Sequence, residues 1–190
     1  MIHIPIKNKQ VITLQSVPEN APGKLLSESK EILSQRLGFL SLRDVQIKQN
    51  NAKSELVITV GDTISNATLS EILLIQGYVS FKADSILVIN KKDFLEVHPD
   101  FNNPKQPTLC ITFKENKWKV LENITARNMN KPVVLIIDNK VYGSPRIMDK
   151  ISHGKISLTG GGFSKTEVRK LVAIITNGPL PLNFNVVNNQ

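Results

Sequence analysis

The sequence predicts an α+β protein, with a ferredoxin-like βαββαβ module followed by a second α+β module whose sheet is antiparallel or mixed. Three observations support this class. Short segments that alternate apolar and polar residues, the pattern of half-buried strands, recur along the chain. Segments with apolar residues three and four positions apart, the pattern of amphipathic helices, lie between them. Residues 90–106, rich in Pro and Asn, separate two groups of such elements.

The first half is predicted to contain six elements in the ferredoxin-like order. Its first helix has apolar residues at helical spacing and ends at Gly38. Its second helix begins at a capping box formed by Thr68 and Glu71 and ends at Gly77. In order, the elements are strand 11–17, helix 24–37, strands 45–48 and 56–60, helix 68–76 and strand 78–83.

The second half is predicted to follow the order βαβββαβ. Asp138 and Asn139 tolerate the tight turn of a hairpin between two extended segments. Ser164 and Glu167 form a capping box in front of apolar residues at helical spacing, and the glycines at 160–162 indicate a corner before that helix. The elements are strand 109–113, helix 115–128, hairpin strands 133–137 and 140–143, strand 155–158, the capped helix and strand 182–187.

The composition is that of a folded globular protein, since 41% of the 190 residues are hydrophobic. We expect a first domain at 1–89, a linker at 90–106 and a second domain at 107–190. The longest apolar runs, at 72–75 and 133–137, are too short to cross a bilayer. Polar residues follow Met1 where a signal peptide would be apolar, which favours a mature or shortened chain.

The net charge of +8 lies entirely in the second half. Residues 1–103 hold 11 Lys and Arg and 11 Asp and Glu, whereas residues 104–190 hold 13 and 5. A basic half-domain could face anionic lipid, an acidic partner or nucleic acid, or it could be a solvated surface. The lysines are scattered rather than clustered, which favours the solvated surface.

No catalytic, metal or cofactor site is predicted. His3, His98 and His153 lie far apart in the sequence, and Cys110 is the single cysteine, so the spacing of a zinc site is missing. We interpret Cys110 as a small buried hydrophobe and the glycines at 160–162 as a structural corner rather than a phosphate loop. Aromatic residues make up only 5% of the chain and no RNA-recognition string occurs, so we expect no nucleic acid partner.

The last third carries the most specific motif. It resembles the end of the first large periplasmic domain of the SecD family of protein-export membrane proteins, where the pattern reads G-x-x-L-A-I-V-L-D-G-x-V-x-S-A-P-x-I, then I-x-x-G-x-x-x-I-x-G-x-F-T-x-x-E-A, and ends at G-A-L-P. The resemblance is strong over 107–187 and weaker over 10–85. The matching residues are Lys131, Pro132, Leu135, Ile137, Asp138, Val141, Ser144, Pro145, Ile147, Ile151, Gly154, Ile156, Gly160, Phe163, Glu167, Leu171, Gly178, Leu180 and Pro181.

This resemblance implies a non-catalytic extracytoplasmic domain, located in the periplasm at the inner membrane. Such a domain would bind translocating polypeptide and assist its release. The first half would be similar to the membrane-proximal base of the family and the second half to its mobile head. The implied partner is unfolded exported polypeptide, with other translocase subunits and the membrane surface as further candidates.

Two sets of residues are candidates for this role. Hairpin tips and exposed strand edges accept extended peptides, which makes the hairpin the expected contact surface. Loops between domains absorb rotations, which makes the predicted linker the expected hinge. The contact residues are Leu135, Ile137, Val141, Tyr142 and Pro145, and the hinge residues are Asn90, Pro99, Pro104 and Pro107.

A second interpretation stays open. The motif G-L-D-L-x-G-G, which usually starts the family's domain after the first membrane span, is not present near Val11, and the chain contains no apolar run of spanning length. Both observations favour a freestanding periplasmic or lipid-anchored protein that has reused the SecD-like module for another binding role.

Overall fold

A computed structural model describes residues 9–61, 64–83, 86–89, 91–159 and 163–189. The described residues form strands β1 Gln10–Val17, β2 Gln46–Asn50, β3 Glu55–Val60, β4 Val79–Lys82, β5 Ile86–Ile89, β6 Phe94–Asp100, β7 Thr108–Phe113, β8 Val134–Ile137, β9 Lys140–Gly143, β10 Lys155–Leu158 and β11 Asn183–Asn189, and helices α1 Gly23–Gly38, α2 Asn66–Leu74, α3 Trp118–Arg127 and α4 Lys165–Asn177. Every strand pair is antiparallel. The predicted α+β class is confirmed.

The chain divides into two compact units. Unit 1 comprises Met1–Gln76 and Leu180–Gln190, and unit 2 comprises Gly77–Pro179. Unit 2 is therefore inserted between α2 and β11 of unit 1. This division differs from the predicted domains at 1–89 and 107–190.

Unit 1 is built on one four-stranded sheet with the order β11-β1-β3-β2. Alternate residues of its strands are fully buried, as expected for a sheet with one face against helices. The helices contribute Leu26, Leu33 and Leu37 from α1 and Ile72 and Leu73 from α2, all with no exposed surface. This strand order is compatible with the predicted ferredoxin-like arrangement.

The fourth strand of this sheet is not the predicted one. Residues 78–83 were expected to complete the first module, but β4 lies in unit 2 and pairs with β5 and β8. The C-terminal strand β11 takes the place beside β1. Alternating apolar residues indicate that a segment is a strand, whereas its partner depends on contacts with distant parts of the chain.

The predicted linker is also structured in part. β6 pairs with β7 along its length, so Pro99 lies opposite Leu109 instead of in an irregular crossing. A proline is compatible with β6 because β6 is the edge of its sheet and its outer side needs no ladder bond. Residues 101–107 form the loop between the two strands.

Unit 2 contains two sheets, with the orders β10-β7-β6 and β5-β4-β8-β9. The ring of Phe113 in β7 lies 5.3 Å from that of Phe94 in β6 and 6.3 Å from that of Phe81 in β4. All three phenylalanines are buried, so this cluster joins the two sheets in one core. Helix α4 packs against β6 and β7, with its residues from Val168 to Ile175, apart from Arg169, buried.

Serine side chains cap the N-termini of two helices. Ser164 Oγ accepts a hydrogen bond from the amide of Glu167 at 3.1 Å, which confirms the predicted cap of α4. At α2 the cap is Ser65, whose Oγ accepts from the amide of Thr68 at 3.2 Å. The N-cap of the helix therefore lies three residues before the predicted one at Thr68. Ser65 and Thr68 both carry a hydroxyl that can cap a helix, so the sequence allowed either start.

A buried arginine closes the end of α2. The guanidinium of Arg36, in α1, has no exposed surface and donates to the carbonyls of Ile75 at 2.6 Å, Gln76 at 2.7 Å and Ile72 at 3.4 Å. The last carbonyls of a helix have no partner within the helix, so a buried helix end requires such donors. Arg36 thus stabilises the point at which the chain leaves unit 1.

Gln76 also holds the returning chain. Its side-chain amide donates to the carbonyl of Leu182 at 3.0 Å, and its own carbonyl accepts from the amide of Leu180 at 2.9 Å. Asp138 makes a comparable contact inside unit 2, where its carboxylate accepts from the amides of Gly77 at 2.9 Å and Tyr78 at 2.9 Å. Hydrogen bonds within unit 1 therefore hold Gln76, and hydrogen bonds within unit 2 hold Gly77, the next residue of the chain.

Replacing Arg36 with methionine should destabilise unit 1 by about 3–5 kcal/mol, because the buried carbonyls at the end of α2 lose charged donors. Urea unfolding followed by circular dichroism measures the change. The matched control is Lys24→Met, in the same helix with 86% of the side chain exposed, which should alter stability by less than about 0.5 kcal/mol. Equal stability of the two variants would contradict the assigned role.

Candidate functional site

A cavity of about 300 Å³ opens on unit 2. Its walls come from α3, β10, the end of β4 and residues 145–151, which connect β9 to β10. A volume of this size matches the lower end of small ligand pockets, and it also suits two or three apolar side chains of a bound peptide.

The cavity has an apolar floor and an apolar rim. Phe81, Leu121, Ile147 and Leu158 each expose 5% or less of their surface and form the floor. Met148 stands at the rim with 69% of its surface exposed. A flexible methionine beside an apolar floor can adapt to side chains of different shapes. Half-buried isoleucines extend this surface, namely Ile124, Ile151 and Ile156.

The edge of β10 borders the same cavity. The amide of Phe113 donates to the carbonyl of Gly154 at 2.8 Å, which fixes the phase of the ladder between β7 and β10. In an antiparallel pair, hydrogen-bonded and non-bonded residues alternate. The backbone groups of Ile156 therefore face β7, whereas those of Lys155 and Ser157 face away from it, and both residues line the cavity.

No described strand lies along that side of β10, which is the end of its sheet. The backbone donors and acceptors of Lys155 and Ser157 are thus presented next to apolar surface. Chemically, this combination fits an extended peptide, which needs backbone partners and pockets for alternate side chains.

The first part of the cavity wall at 145–151 is held by backbone pairing. The carbonyl of Pro145 accepts from the amide of Val133 at 2.8 Å, and the amide of Ile147 donates to the carbonyl of Lys131 at 3.0 Å. This short ladder continues the hairpin of β8 and β9 beyond Gly143.

The second part of the wall is held by α3. The amide of Ile151 donates to Thr125 Oγ1 at 3.0 Å, and Lys150 lies 3.0 Å from the carboxylate of Glu122. Lys119 lies 3.1 Å from the same carboxylate. The hydrogen bonds from Lys150 and Lys119 lower the pKa of Glu122 below its ordinary value of 4.5. The wall therefore has two anchors, and Met148 lies between them.

Gly154 sets the start of β10 by close packing. Its φ is +65°, and a Cβ at this position would lie 2.3 Å from Cδ1 of Trp118. The indole of Trp118 is fixed because its Nε1 donates to the carbonyl of Phe113 at 2.9 Å. Only glycine combines this backbone conformation with this contact.

The predicted contact residues are only partly available. Leu135 and Ile137 have no exposed surface and belong to the core, because β8 is the inner strand between β4 and β9. Val141 is 58% exposed and Tyr142 is half-buried, both on edge strand β9, and neither lines the cavity. Pro145 does line the cavity.

The predicted hinge residues lie inside unit 2. Pro99 is in the β6 ladder, Pro104 is exposed in the following loop, and Pro107 is buried before β7. Asn90 lies outside the described residues, as do His3 and the predicted glycine corner at 160–162. The connections between the units fall instead at 76–77 and 179–180.

Cys110 is partly exposed on β7 rather than fully buried. Burial is the main cause that raises the pKa of its thiol above 9.0, and a hydrogen bond with Ser157 opposes the shift. A raised pKa keeps the thiol protonated at neutral pH, which agrees with an inert residue. Among the described residues, no group of three His, Cys, Asp or Glu side chains could hold a metal ion.

Sequence comparison assigns the region that carries the cavity. Residues 76–182, more than half of the chain, match the family described as "SecDF, P1 head subdomain". The chain belongs to the SecDF P1 head family. The matched range agrees closely with unit 2, so the SecDF P1 head corresponds to a compact unit of this structure. None of the helices in the described part of the chain has the length and apolar character needed to span a bilayer.

Relatives of this SecDF P1 head chain are similar along most of its length. The chain is 25% identical over 182 residues to the protein translocase subunit SecD of Acidaminococcus fermentans, covering 95% of this chain and 43% of that protein. It is 28% identical over 178 residues to the same subunit of Calditerrivibrio nitroreducens, covering 91% of this chain and 32% of that protein. The chain thus spans less than half of the length of these relatives.

A solved structure shares the fold. This is the structure of SecDF described as "a membrane component SecDF that enhances protein export". The match has a TM-score of 0.63 and 18% sequence identity, and it covers 94% of this chain and 98% of that one. Both units therefore follow an arrangement of elements known from SecDF.

Several cavity residues belong to the motif that the sequence analysis matched to the family. Ile147, Ile151 and Ile156 surround Gly154 in that motif, yet the contact surface was predicted at the hairpin. The sequence did contain a signal for the cavity. These isoleucines lie on both sides of Gly154, and their spacing fits neither the period of a helix nor that of a strand. Such residues suit an irregular wall better than a regular core face.

Replacing Gly154 with alanine should destabilise unit 2 by about 2–4 kcal/mol, because the new Cβ would overlap Trp118 in a left-handed backbone conformation. Thermal unfolding followed by tryptophan fluorescence measures the loss. Gly38→Ala is the matched control, since a Cβ there meets no atom within 4 Å. The close packing would be refuted if both variants melted at the temperature of the parent.

The carboxyl group of Glu122 should titrate below pH 4.5 in the folded protein, and Lys150→Met should move its pKa upwards, because Lys150 is the main stabilising partner. Stability from this pair is present above the unfolded pKa and is lost as the pH falls through the lowered value. NMR titration of the side-chain carboxyl carbon measures both values. Glu115→Gln is a suitable control, since it should leave the Glu122 titration unchanged. A Glu122 pKa that is not lowered would refute the ion pair between Glu122 and Lys150.

Proposed function

We propose that this chain is the extracytoplasmic binding domain of a SecD-type protein-export factor, and that it binds translocating polypeptide without catalysis. The observation that carries the proposal is the exposed edge of β10 beside the apolar cavity in unit 2. Two findings support it, namely the membership of the SecDF P1 head family and the fold shared with SecDF, a membrane component that enhances protein export.

The bound segment would be extended and would lie along β10. Its backbone would exchange hydrogen bonds with Lys155 and Ser157, and every second side chain would enter the cavity. Backbone bonds are common to all sequences, and the adaptable rim at Met148 accepts apolar side chains of several shapes. Binding of this kind is sequence-tolerant and weak, as a factor that must release its substrate requires.

Charged side chains at the opening of the cavity would disfavour some polypeptide segments. Arg146 and Lys155 are exposed at the cavity, with Asp149 as the opposing charge. Unit 2 as a whole holds 16 Lys and Arg against 9 Asp and Glu. Apolar segments with neutral or acidic flanks are therefore favoured over basic ones.

Two further parts of the proposal concern the surroundings of the site. Val141, exposed on β9, and the half-buried Tyr142 beside it form a second candidate contact for polypeptide, other translocase subunits or the membrane surface. A hinge, if the units move, would lie at residues 76–77 and 179–180 instead of the predicted prolines. Release of the polypeptide would follow from such a movement.

A photocrosslinking amino acid placed at Met148 should label a permanently unfolded probe, reduced and carboxymethylated α-lactalbumin, several times more strongly than the same group at Leu95. The two positions are equally accessible, with 69% and 70% of the residue exposed, but Leu95 does not line the cavity. Label at Val141 would establish the second contact. Equal labelling at Met148 and Leu95 would rule out the cavity as the binding site.

The backbone interaction has its own test. Ser157→Pro removes the amide that faces away from β7 and should weaken binding of the same probe about five- to tenfold, the value of one backbone hydrogen bond. Ser157→Ala is the matched control, because it removes the same hydroxyl and keeps the amide. Fluorescence anisotropy measures both affinities, and identical affinities would exclude strand addition at β10.

A further inference from the structure

The two faces of the sheet that ends at β10 differ in polarity. Each residue of β10 lies opposite a residue of β7, and opposed residues point to the same face. The apolar face of these two strands carries Leu109, Ile111, Ile156 and Leu158. The polar face carries Thr108, Thr112, Lys155 and Ser157, with Cys110 between the threonines.

This difference persists at the free edge of β10. Leu158 exposes only 2% of its surface, whereas Lys155 and Ser157 are exposed. The thiol of Cys110 forms a hydrogen bond with the side chain of Ser157, which places that side chain on the polar face. Ile156 lies opposite the buried Ile111 and lines the cavity. The cavity is therefore continuous with the apolar face of the sheet.

A strand that joins this edge has to continue both faces. Its residues opposite Ile156 and Leu158 would point into the cavity, and the residue between them, opposite Ser157, would lie on the polar face. A shift of one residue exchanges the two sets, so polar side chains would enter the cavity and apolar ones would lie on the polar face. The edge therefore imposes a phase as well as backbone hydrogen bonds.

We propose that the site selects exported segments in which apolar and polar residues alternate. This inference rests on the proposed function and adds the class of polypeptide that is bound. An antiparallel segment meets Leu158 first and Lys155 last. From its N-terminus the favoured pattern is therefore apolar, polar, apolar and then acidic, because the last residue stands directly opposite the ammonium group of Lys155.

Alternation of this kind is typical of segments that become half-buried strands in a folded protein. A continuous apolar run, as in a membrane span, would place apolar side chains on the polar face as well. The apolar stripe of a helix repeats every three or four residues and loses the phase. Unpaired strands also tend to pair with one another, so covering them delays aggregation of the exported chain. Many sequences share the alternation, so the selection tolerates different residues.

Two fluorescent peptides of about eight residues test the selection. Both contain the same valines and threonines, which have similar shapes and strand propensities. In the first peptide they alternate, and in the second they occur in pairs, so no face carries two valines in succession. The full chain should bind the alternating peptide at least about tenfold more tightly, because the paired one has to place a hydroxyl in the cavity. Fluorescence anisotropy measures both affinities.

A charge reversal tests the phase. Of two alternating peptides with aspartate or lysine at the position opposite Lys155, the parent should favour the aspartate peptide about threefold, and Lys155→Glu should favour the lysine peptide. Glu96→Lys is the matched control on the same polar face, where Thr112 lies between Glu96 and Lys155. The peptide would be three strands away from Glu96, roughly 14 Å, where salt screens the charge, so the preference of the parent should persist.

The outcomes separate this inference from the proposed function. Equal affinities for the alternating and paired peptides, both weakened by Ser157→Pro, would overturn the selection and leave polypeptide binding at β10 intact. Failure to bind either peptide while Met148 still crosslinks to unfolded α-lactalbumin would also overturn the selection alone. Loss of both signals would overturn the proposed function together with this inference. A charge preference that Lys155→Glu leaves unchanged would contradict the assigned phase.

Discussion

The burial of the Arg36 guanidinium at the end of α2 is the constraint on which the packing of the two helices of unit 1 depends. A buried charge requires hydrogen-bond partners, and here both terminal nitrogens of the guanidinium donate to carbonyl groups that the helix itself cannot satisfy. Gln76, one of those acceptors, in turn binds the returning chain at Leu180 and Leu182. One side chain thus joins α1 to the end of α2, where Gln76 also binds the C-terminal segment of unit 1.

Local structure could be predicted well from the sequence because its causes are local. The alternation in β3 and β10, the apolar stripe of α4 and the serine at its start are all properties of neighbouring residues. Partner choice could not be predicted in the same way. β4 and β11 have similar patterns, and only the packing of distant segments decides which of them lies beside β1.

The candidate site shows the same limit. Leu135 and Ile137 were predicted to belong to the contact surface, but the structure buries both side chains in the core. The cavity arises from the end of β4, α3, residues 145–151 and β10, which are separated in the sequence, so no single motif contains it. Its residues were visible only as irregularly spaced isoleucines around Gly154, whose role depends on the indole ring beside it.

The position of β11 has a consequence for the order in which the protein forms. During synthesis the first three strands and both helices of unit 1 leave the ribosome long before Asn183–Asn189. The side of β1 that β11 will occupy has no partner until all of unit 2 has been made. β1 therefore gains its partner on that side only after unit 2, and the sheet of unit 1 stays incomplete throughout the synthesis of unit 2.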